Sequence, residues 1–250
     1  MSTIDTAIIL AAGRGSRLKE RTLEKPKPMT KINNIPIIDN LIEELINQKI
    51  KNIIIVIGYM AEKFKKHLKR FEDRTNLIFI TNPDFDKTNN IYSLWLAKKH
   101  LRQGFFLFEA DIFCEENLIN ELVSSRHHNI IVVDKFTKEM DGTVVELTED
   151  NIVKEMYLKR HQGKGFSYYQ KYKTVNFYKF GSYYVQNHLI PKMKEHIKRQ
   201  DVNVYYEQII KEDIDEGYQF YALQTGSNLW WEIDTPGDLK KTKEIFEISE

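Results

Sequence analysis

Along the first half of the chain, hydrophobic positions alternate between two spacings. Continuous apolar runs of strand length occur at "AIILAA" (7–12), "NIIIVIGY" (52–59), "NLIFI" (76–80), "FFLFEA" (105–110) and "NIIVV" (129–133). Between them, an apolar residue recurs every third or fourth position. "IIDNLIEELINQ" (37–48) sets Ile38, Leu41, Ile42, Leu45 and Ile46 on one stripe, and "MAEKFKKHLKRF" (60–71) does the same with Met60, Phe64, Leu68 and Phe71. "IYSLWLAKKHL" (91–101) and "EENLINELVSS" (115–125) complete the series. Strands that are apolar on both faces must be covered on both faces. The alternation therefore predicts an α/β fold with a mainly parallel, mixed sheet and helices on either side. Ligands of such sheets bind beyond the carboxyl ends of the strands.

The second half is less regular. "GTVVELTEDNIVKEMYL" (142–158) reads as antiparallel pieces, and "HQGKGFSYYQKYK" (161–173) as a mobile polar-aromatic loop. "TVNFYKF" (174–180) and "QFYAL" (219–223) read as strands, and "YYVQNHLIPKMKEHIKR" (183–199) as a helix bent or broken at Pro191. No linker, repeat or low-complexity stretch interrupts the chain. The expectation is one domain over 1–250, with halves at 1–134 and 135–250 and a lid embedded in the second.

Composition narrows the class. At 42% hydrophobic residues, the 250-residue chain can bury a sizeable core. Basic and acidic residues number 37 and 36, so a net charge of +1 gives no global attraction to nucleic acid or a membrane surface. A single cysteine, Cys114, precludes an internal disulfide framework and is expected as a small buried filler. None of the 7 histidines shows metal-ligand spacing. No apolar run approaches the ~20 residues of a membrane helix, and "MSTIDTAIIL" carries no cationic leader. A soluble, cytoplasmic protein is expected.

The stretch "IILAAGRGSRLKERTLEKPKPM" (8–29) breaks this pattern. A strand runs into Gly13 and Gly15, and Arg14, Arg17, Lys19, Arg21, Lys25 and Lys27 follow within fourteen residues. Glycines after a strand let backbone N–H groups approach a phosphate, although a plain tight turn would use the same pair. Leu18 stands where a dinucleotide fingerprint needs a third glycine, and the Gly-Lys-Ser/Thr of a Walker A loop is missing. Pro26 and Pro28 bracket Lys27 and pre-set its direction at low entropy cost. The whole suits a clamp for a strongly anionic ligand.

With these residues in view, the chain resembles the nucleotidylyltransferase superfamily that includes sugar-phosphate and choline-phosphate enzymes. The resemblance rests on "LAAGRGSRL" (10–18), "KPKPM" (25–29), "TNPDFDKTNNIYSLWLA" (81–97), "FEADIF" (108–113), "KTVNFYKF" (173–180), "YYEQII" (205–210) and "WWEIDTPGDL" (230–239), in the family's order over almost the whole chain. These motifs are most similar to cytidylyltransferases acting on phosphocholine or small phosphonates such as 2-aminoethylphosphonate. Asn33-Asn34 replaces a glycine usual in the family, and Glu109-Ala110 precedes Asp111 where sugar enzymes often have a glycine. Both departures argue against a sugar acceptor rather than against the chemistry.

The resemblance implies a Rossmann-like domain, with 1–134 binding the nucleotide and 135–250 the acceptor. It implies attack by an acceptor phosphate or phosphonate oxygen on the α-phosphorus of CTP, releasing pyrophosphate. The nucleophile is already anionic, so charge neutralisation and positioning replace a general base. Arg17 matches the family arginine on the β- and γ-phosphates, with Arg14 and Gly15 beside it. Lys27 matches the lysine near the acceptor oxygen and α-phosphate. Lys19, Arg21 and Lys25 read as surface charges. Asp111 and Asp234 match the family's Mg²⁺ pair, the alternative for Asp234 being a helix cap or turn residue; Glu109 and Glu232 are accessory or edge acids. Ala11, Ala12, Gly13, Tyr59, Asn90 and Ser93 are expected at the nucleoside, and Lys173 at the acceptor's phosphorus group. For the rest of the acceptor two solutions stand. Trp230, Trp231, Tyr92, Trp95, Tyr168 and Tyr169 could cage a quaternary ammonium, or Glu207 could pair with a primary amine, the latter preferred. Expected partners are therefore CTP and a small phosphonate or phosphomonoester, with no nucleic acid or membrane, and a homodimer is a candidate assembly. A sugar-1-phosphate enzyme and a non-catalytic nucleotide-binding module are the alternatives.

Overall fold

The structure, a computed structural model, describes residues 4–247, and the side chains of Lys19 and Arg21 lie outside the described residues, as does the start of the N-terminal stretch read above. In chain order the strands are β1 (Thr6–Ala11), β2 (Lys31–Ile32), β3 (Ile35–Pro36), β4 (Asn52–Ile57), β5 (Asn76–Thr81), β6 (Gly104–Glu109) and β7 (Ile112–Cys114). They continue with β8 (Ile130–Lys135), β9 (Val144–Leu147), β10 (Val153–Tyr157), β11 (Tyr172–Gly181), β12 (Tyr221–Gln224) and β13 (Trp230–Glu232). Nine of these strands form one sheet whose main path runs β10-β9-β11-β6-β1-β4-β5, with β8 branching from β11 and β12 pairing with β8. β1 pairs in parallel with β4 and β6, and β4 with β5. β11 then runs antiparallel to β6, β8 and β9, which makes the sheet mixed.

The alternation of side chains along β1 decides the layering. Ile8 and Leu10 enter one apolar cluster, and Ala7, Ile9 and Ala11 enter another on the opposite face. Ile38, Leu41, Ile42 and Leu45 of the helix Ile37–Asn47 cover the second face, together with Phe64 and Leu68 of Ala61–Leu68. Ile91 and Leu94 of Asn90–Leu96 cover the first, joined by Met193 of Ile190–Lys198 and Ile209 and Ile210 of Glu207–Asp215. Cys114 is buried in the second cluster at 1% exposure. No described helix is long and apolar enough to cross a membrane.

Three local features depart from the periodicity. The segment after Ser182 is helical through Pro191, because a wide π turn over Val185–Leu189 absorbs the missing proline N–H without breaking the rod. β7 and β13 pair antiparallel, bringing "WWEIDTP" against the residues that follow β6. β2 and β3 form a hairpin whose two loop residues, Asn33 and Asn34, have φ of 45° and 71°. Positive φ at both positions is the demand of a twisted two-residue hairpin loop, which asparagine meets nearly as well as glycine. The Asn-Asn pair therefore satisfies a backbone need and carries no information about the acceptor, contrary to the sequence expectation.

Candidate active site

A cavity of about 760 Å³ opens beyond the carboxyl ends of β1 and β6. Ala11, Ala12, Gly13, Gly15, Arg17 and Lys27 line it from the turn after β1, and Asn90 and Ser93 from the next helix. Asp111, Lys173, Glu207, Trp230 and Asp234 line it from the other segments. These thirteen sequence-expected residues thus meet in one space, whereas Arg14, Tyr59 and Tyr169 are not on its wall.

Lys27 is the centre of the arrangement. The proline-bracketed turn buries the residue to 7% exposure, and its Nζ donates to Asp111 Oδ2 at 2.7 Å and Asp234 Oδ1 at 2.6 Å. Burial pushes the ammonium pKa down, but the two carboxylates outweigh it and hold the pKa above its ordinary value. Gly15 makes this position reachable. Its φ is 66°, and a Cβ there would stand 2.6 Å from Lys27 Cβ. Arg17 adds a second cation at 2.8 Å from Asp234 Oδ1, although at 67% exposure water screens that pair strongly.

Asp111 lies in the turn between β6 and β7, and Asp234 two residues after β13. The helix Pro236–Ile245 is capped by Thr235 in a reciprocal capping box with Asp238, so Asp234 is free of the capping role. One carboxylate oxygen from each of Asp111, Glu232 and Asp234 lies within 4.8 Å of the others, a donor set able to hold a divalent cation. Asp111 Oδ1 is buried with no hydrogen-bond partner, which fits an oxygen meant for a ligand rather than for the fold. Hard carboxylate oxygens suit magnesium, which takes few protein ligands and leaves the rest to water and phosphate. Glu232 joins this set because the β7–β13 pairing places Glu232 opposite Ile112. The sequence alone reads it as an accessory or edge acid.

Lys173 is 2% exposed, with Nζ 3.1 Å from Glu232 Oε2 and donating to the Thr174 carbonyl at 2.6 Å. Glu207 lies at the first turn of its helix with Oε2 buried and unpartnered. Burial raises the pKa of Glu207 and that of Glu232, and it raises that of Glu109 further, with the charges of Asp111 and Glu207 adding to the effect. Asn90 Nδ2 donates to Glu109 Oε1 at 3.1 Å, and its Oδ1 accepts from the Tyr206 backbone at 2.9 Å. Its amide therefore spans the two halves of the cavity. Ser93 Oγ accepts from Asn82 Nδ2 at 3.1 Å.

Tyr59 acts one layer back. Its hydroxyl donates to the Thr22 carbonyl at 2.9 Å, its ring meets Phe85 edge-on, and the Arg14 guanidinium lies over its outer face. Phe85, which the sequence reading passed over, takes the place on the wall. Tyr169 is 78% exposed, and Tyr168 stacks on Phe136 at 4.1 Å. Of the six aromatic cage candidates only Trp230 and Trp231 line the cavity. Lys159 and Arg160 line it as well; the run "KRH" at 159–161 signalled them only as a cluster of charge.

The nucleotidyl transferase family model matches residues 6–247 of the chain. The chain is 27% identical over 236 residues to CMP-5'-(3-aminopropyl)phosphonate synthase of Streptomyces rubellomurinus, covering 94% of this chain and 38% of that protein. It is 29% identical over 241 residues to choline-phosphate cytidylyltransferase of Streptococcus pneumoniae, covering 96% and 97% of the two. The solved structure of CTP:phosphocholine cytidylyltransferase from Streptococcus pneumoniae superposes with a TM-score of 0.80 at 24% identity, covering 98% of this chain and all of that one.

Proposed function

Because the chain belongs to the nucleotidyl transferase family, we propose that it transfers CMP from CTP to a small phosphonate or phosphomonoester and releases pyrophosphate. The observation that carries this reading is the buried Lys27 ammonium held between Asp111 and Asp234 at the mouth of the glycine turn. A binding module has no use for a fixed cation and a carboxylate cluster at the point where an α-phosphate and an acceptor oxygen would meet. The two relatives named above, one a phosphonate synthase and the other a choline-phosphate enzyme, support cytidine and a small acceptor.

In this mechanism the turn after β1 seats the triphosphate, with the Gly13 backbone close to it and Arg17 neutralising its outer charge. The nucleoside lies along Ala11, Ala12, Asn90 and Ser93. The Lys27 ammonium faces the α-phosphoryl group, where charge grows as the acceptor oxygen adds and pyrophosphate leaves. Lys173 steadies the acceptor's anionic group. Asp111 and Asp234, with Glu232, would hold magnesium, which supplies charge neutralisation at the phosphoryl oxygens when bound. The first 134 residues then serve the nucleotide and the remainder the acceptor, within one domain.

The test is a pyrophosphate-release screen of CTP, UTP, ATP and GTP, each against 2-aminoethylphosphonate, phosphocholine and a sugar 1-phosphate. Release with CTP and one of the first two acceptors is expected. Release only with the sugar phosphate would redirect the reading to a sugar enzyme, and none in any pairing would reduce the protein to a binding module.

A further inference from the structure

We propose that two copies of this chain pair through β5, edge to edge and antiparallel, about a twofold axis that passes by Phe79. β5 ends the main path of the sheet, so only one of its edges meets a neighbour, β4. The Asn76 N–H donates to the Lys51 carbonyl at 3.1 Å and the Asn82 N–H to the Ile57 carbonyl at 2.7 Å. Backbone groups alternate in direction along a strand, so Ile78 and Ile80 also face β4, and the N–H and C=O groups of Leu77, Phe79 and Thr81 face the open edge. Those groups have no partner among the described residues. The side chains are open as well. Leu77 and Phe79 on one face, and Ile78, Ile80 and Trp95 on the other, are only partly buried at the rims of the two apolar clusters.

Natural sheets blunt an exposed edge with charge, proline or a bulge. The other end of the path does so: β10 carries Lys154 and Glu155, and its register slips between Val153 and Glu155. The outer side of β12 is closed by the bridge between Ile152 and Tyr221 and by the Ala222 N–H, which donates to the Asn151 carbonyl at 2.7 Å. β5 has none of these devices; "NLIFIT" keeps an unbroken register with β4 and carries no charge. A second β5 complements it by symmetry. Centring the antiparallel ladder on Phe79 sets Leu77 opposite Thr81 of the second copy, and each opposed pair exchanges two N–H···O bonds. The same register brings Arg74 level with Asp84 of the second copy, a carboxylate with no ion-pair partner among the described residues. The cations of the helix before β5 do not oppose the pairing. Lys63, His67 and Arg70 turn to the body of their own chain, to the Glu24 carbonyl and to Asp39. The rest of 62–73 balances Lys65, Lys66 and Lys69 with Glu62, Glu72 and Asp73.

The experiment combines sedimentation velocity of the whole protein, from low to high micromolar concentration, with hydrogen exchange of the β5 amides followed by NMR. Wild type is expected to pass from monomer to dimer. The amides of Leu77, Phe79 and Thr81 should exchange at least tenfold more slowly in the dimer, while those of Ile78 and Ile80 are protected in both states. Phe79→Lys sets two ammonium groups opposite each other at the axis and should keep the protein monomeric. Phe79 also packs on its own cluster, so Thr81→Pro is the second variant. Its side chain is exposed and its N–H has no acceptor within the chain, so the substitution removes only ladder bonds and should weaken the dimer at least tenfold. A wild type that stays monomeric throughout overturns the proposal. A dimer whose three outward amides exchange as fast as in the monomer, or one that both variants leave intact, overturns it too, because the contact then lies on another surface.

Discussion

Gly15→Ala is the substitution whose outcome the geometry determines most tightly. The added Cβ would lie 2.6 Å from Lys27 Cβ and 2.8 Å from Lys27 Cδ, and the residue would have to hold a φ of 66°. A left-handed alanine costs roughly 1–2 kcal/mol, and overpacking a buried contact typically costs about 1–3 kcal/mol more. If the fold absorbs the strain, stability falls by roughly 2–5 kcal/mol, or about 4–20 °C in Tm for a chain of this size. If Lys27 moves instead, its ammonium leaves the two aspartates, and a shift of ~1 Å in a positioned group can cost about 100-fold in rate. Gly13→Ala is the control. Nothing lies within 4 Å of the Cβ position there and its φ is not positive, so its Tm should hold and only KM for CTP should rise. Scanning calorimetry paired with pyrophosphate release reads both routes. A Gly15→Ala protein with wild-type Tm and wild-type kcat would refute the reasoning.

The other expectations concern charge. Asp111→Asn and Asp234→Asn should each lower turnover at least 100-fold at saturating Mg²⁺, while stability falls by less than the ~3–5 kcal/mol of a fully orphaned buried charge, because the other aspartate still meets Lys27; near-normal turnover in either folded variant removes that residue from the site. Lys27→Ala should lower kcat more than it raises KM, and Lys27→Arg should restore it only in part, since a planar guanidinium must fit a slot shaped around a straight stem beside Gly15; a pure KM effect would make Lys27 a binding contact. For Glu207, burial raises the pKa above its ordinary 4.5, so the protonated form contributes stability that is present below that value and is lost as pH rises through the raised one. Glu207→Gln should therefore raise Tm in ligand-free protein at about pH 8 and lose that gain toward about pH 4; a variant less stable than wild type at the higher pH contradicts the sign.

The fold was legible because its layering is written in local periodicity. Strands apolar at every position need cover on both faces, and the structure covers β4, which lies between β1 and β5, and β5 at the sheet edge with apolar clusters on either side. What escaped were features set by pairing rather than by pattern. β7 and β13 are three residues each, too short to show a period, and they exist because the segment after β6 and the segment after Leu229 satisfy each other's backbone groups. The π turn before Pro191 is likewise a tertiary compromise. A proline's local rule predicts a kink, but Val185, Leu189 and Met193 are all buried in one cluster, and keeping them there favours a widened turn over a broken helix.

The site divides along the same line. Lys27, Asp111 and Asp234 were readable because each sits beside a backbone marker: paired prolines, a strand end and a helix start. The structure brings them together at 2.6–2.7 Å, a contact that the markers did not state. Glu232 and Glu109 carry no marker of their own, and their part in the cavity depends on which residue a neighbouring strand places opposite them. The aromatic residues show the converse error. Aromatic rings close in sequence suggest a cage, but an aromatic side chain buries too much apolar surface to stay idle, and Tyr168 is taken up by Phe136 and Trp95 by the core. A carboxylate behaves differently. It gains nothing from packing, so Glu207 keeps an oxygen unpartnered in the cavity wall where a ring would have packed. A buried acid on the wall is therefore firmer evidence of a polar site than a run of rings.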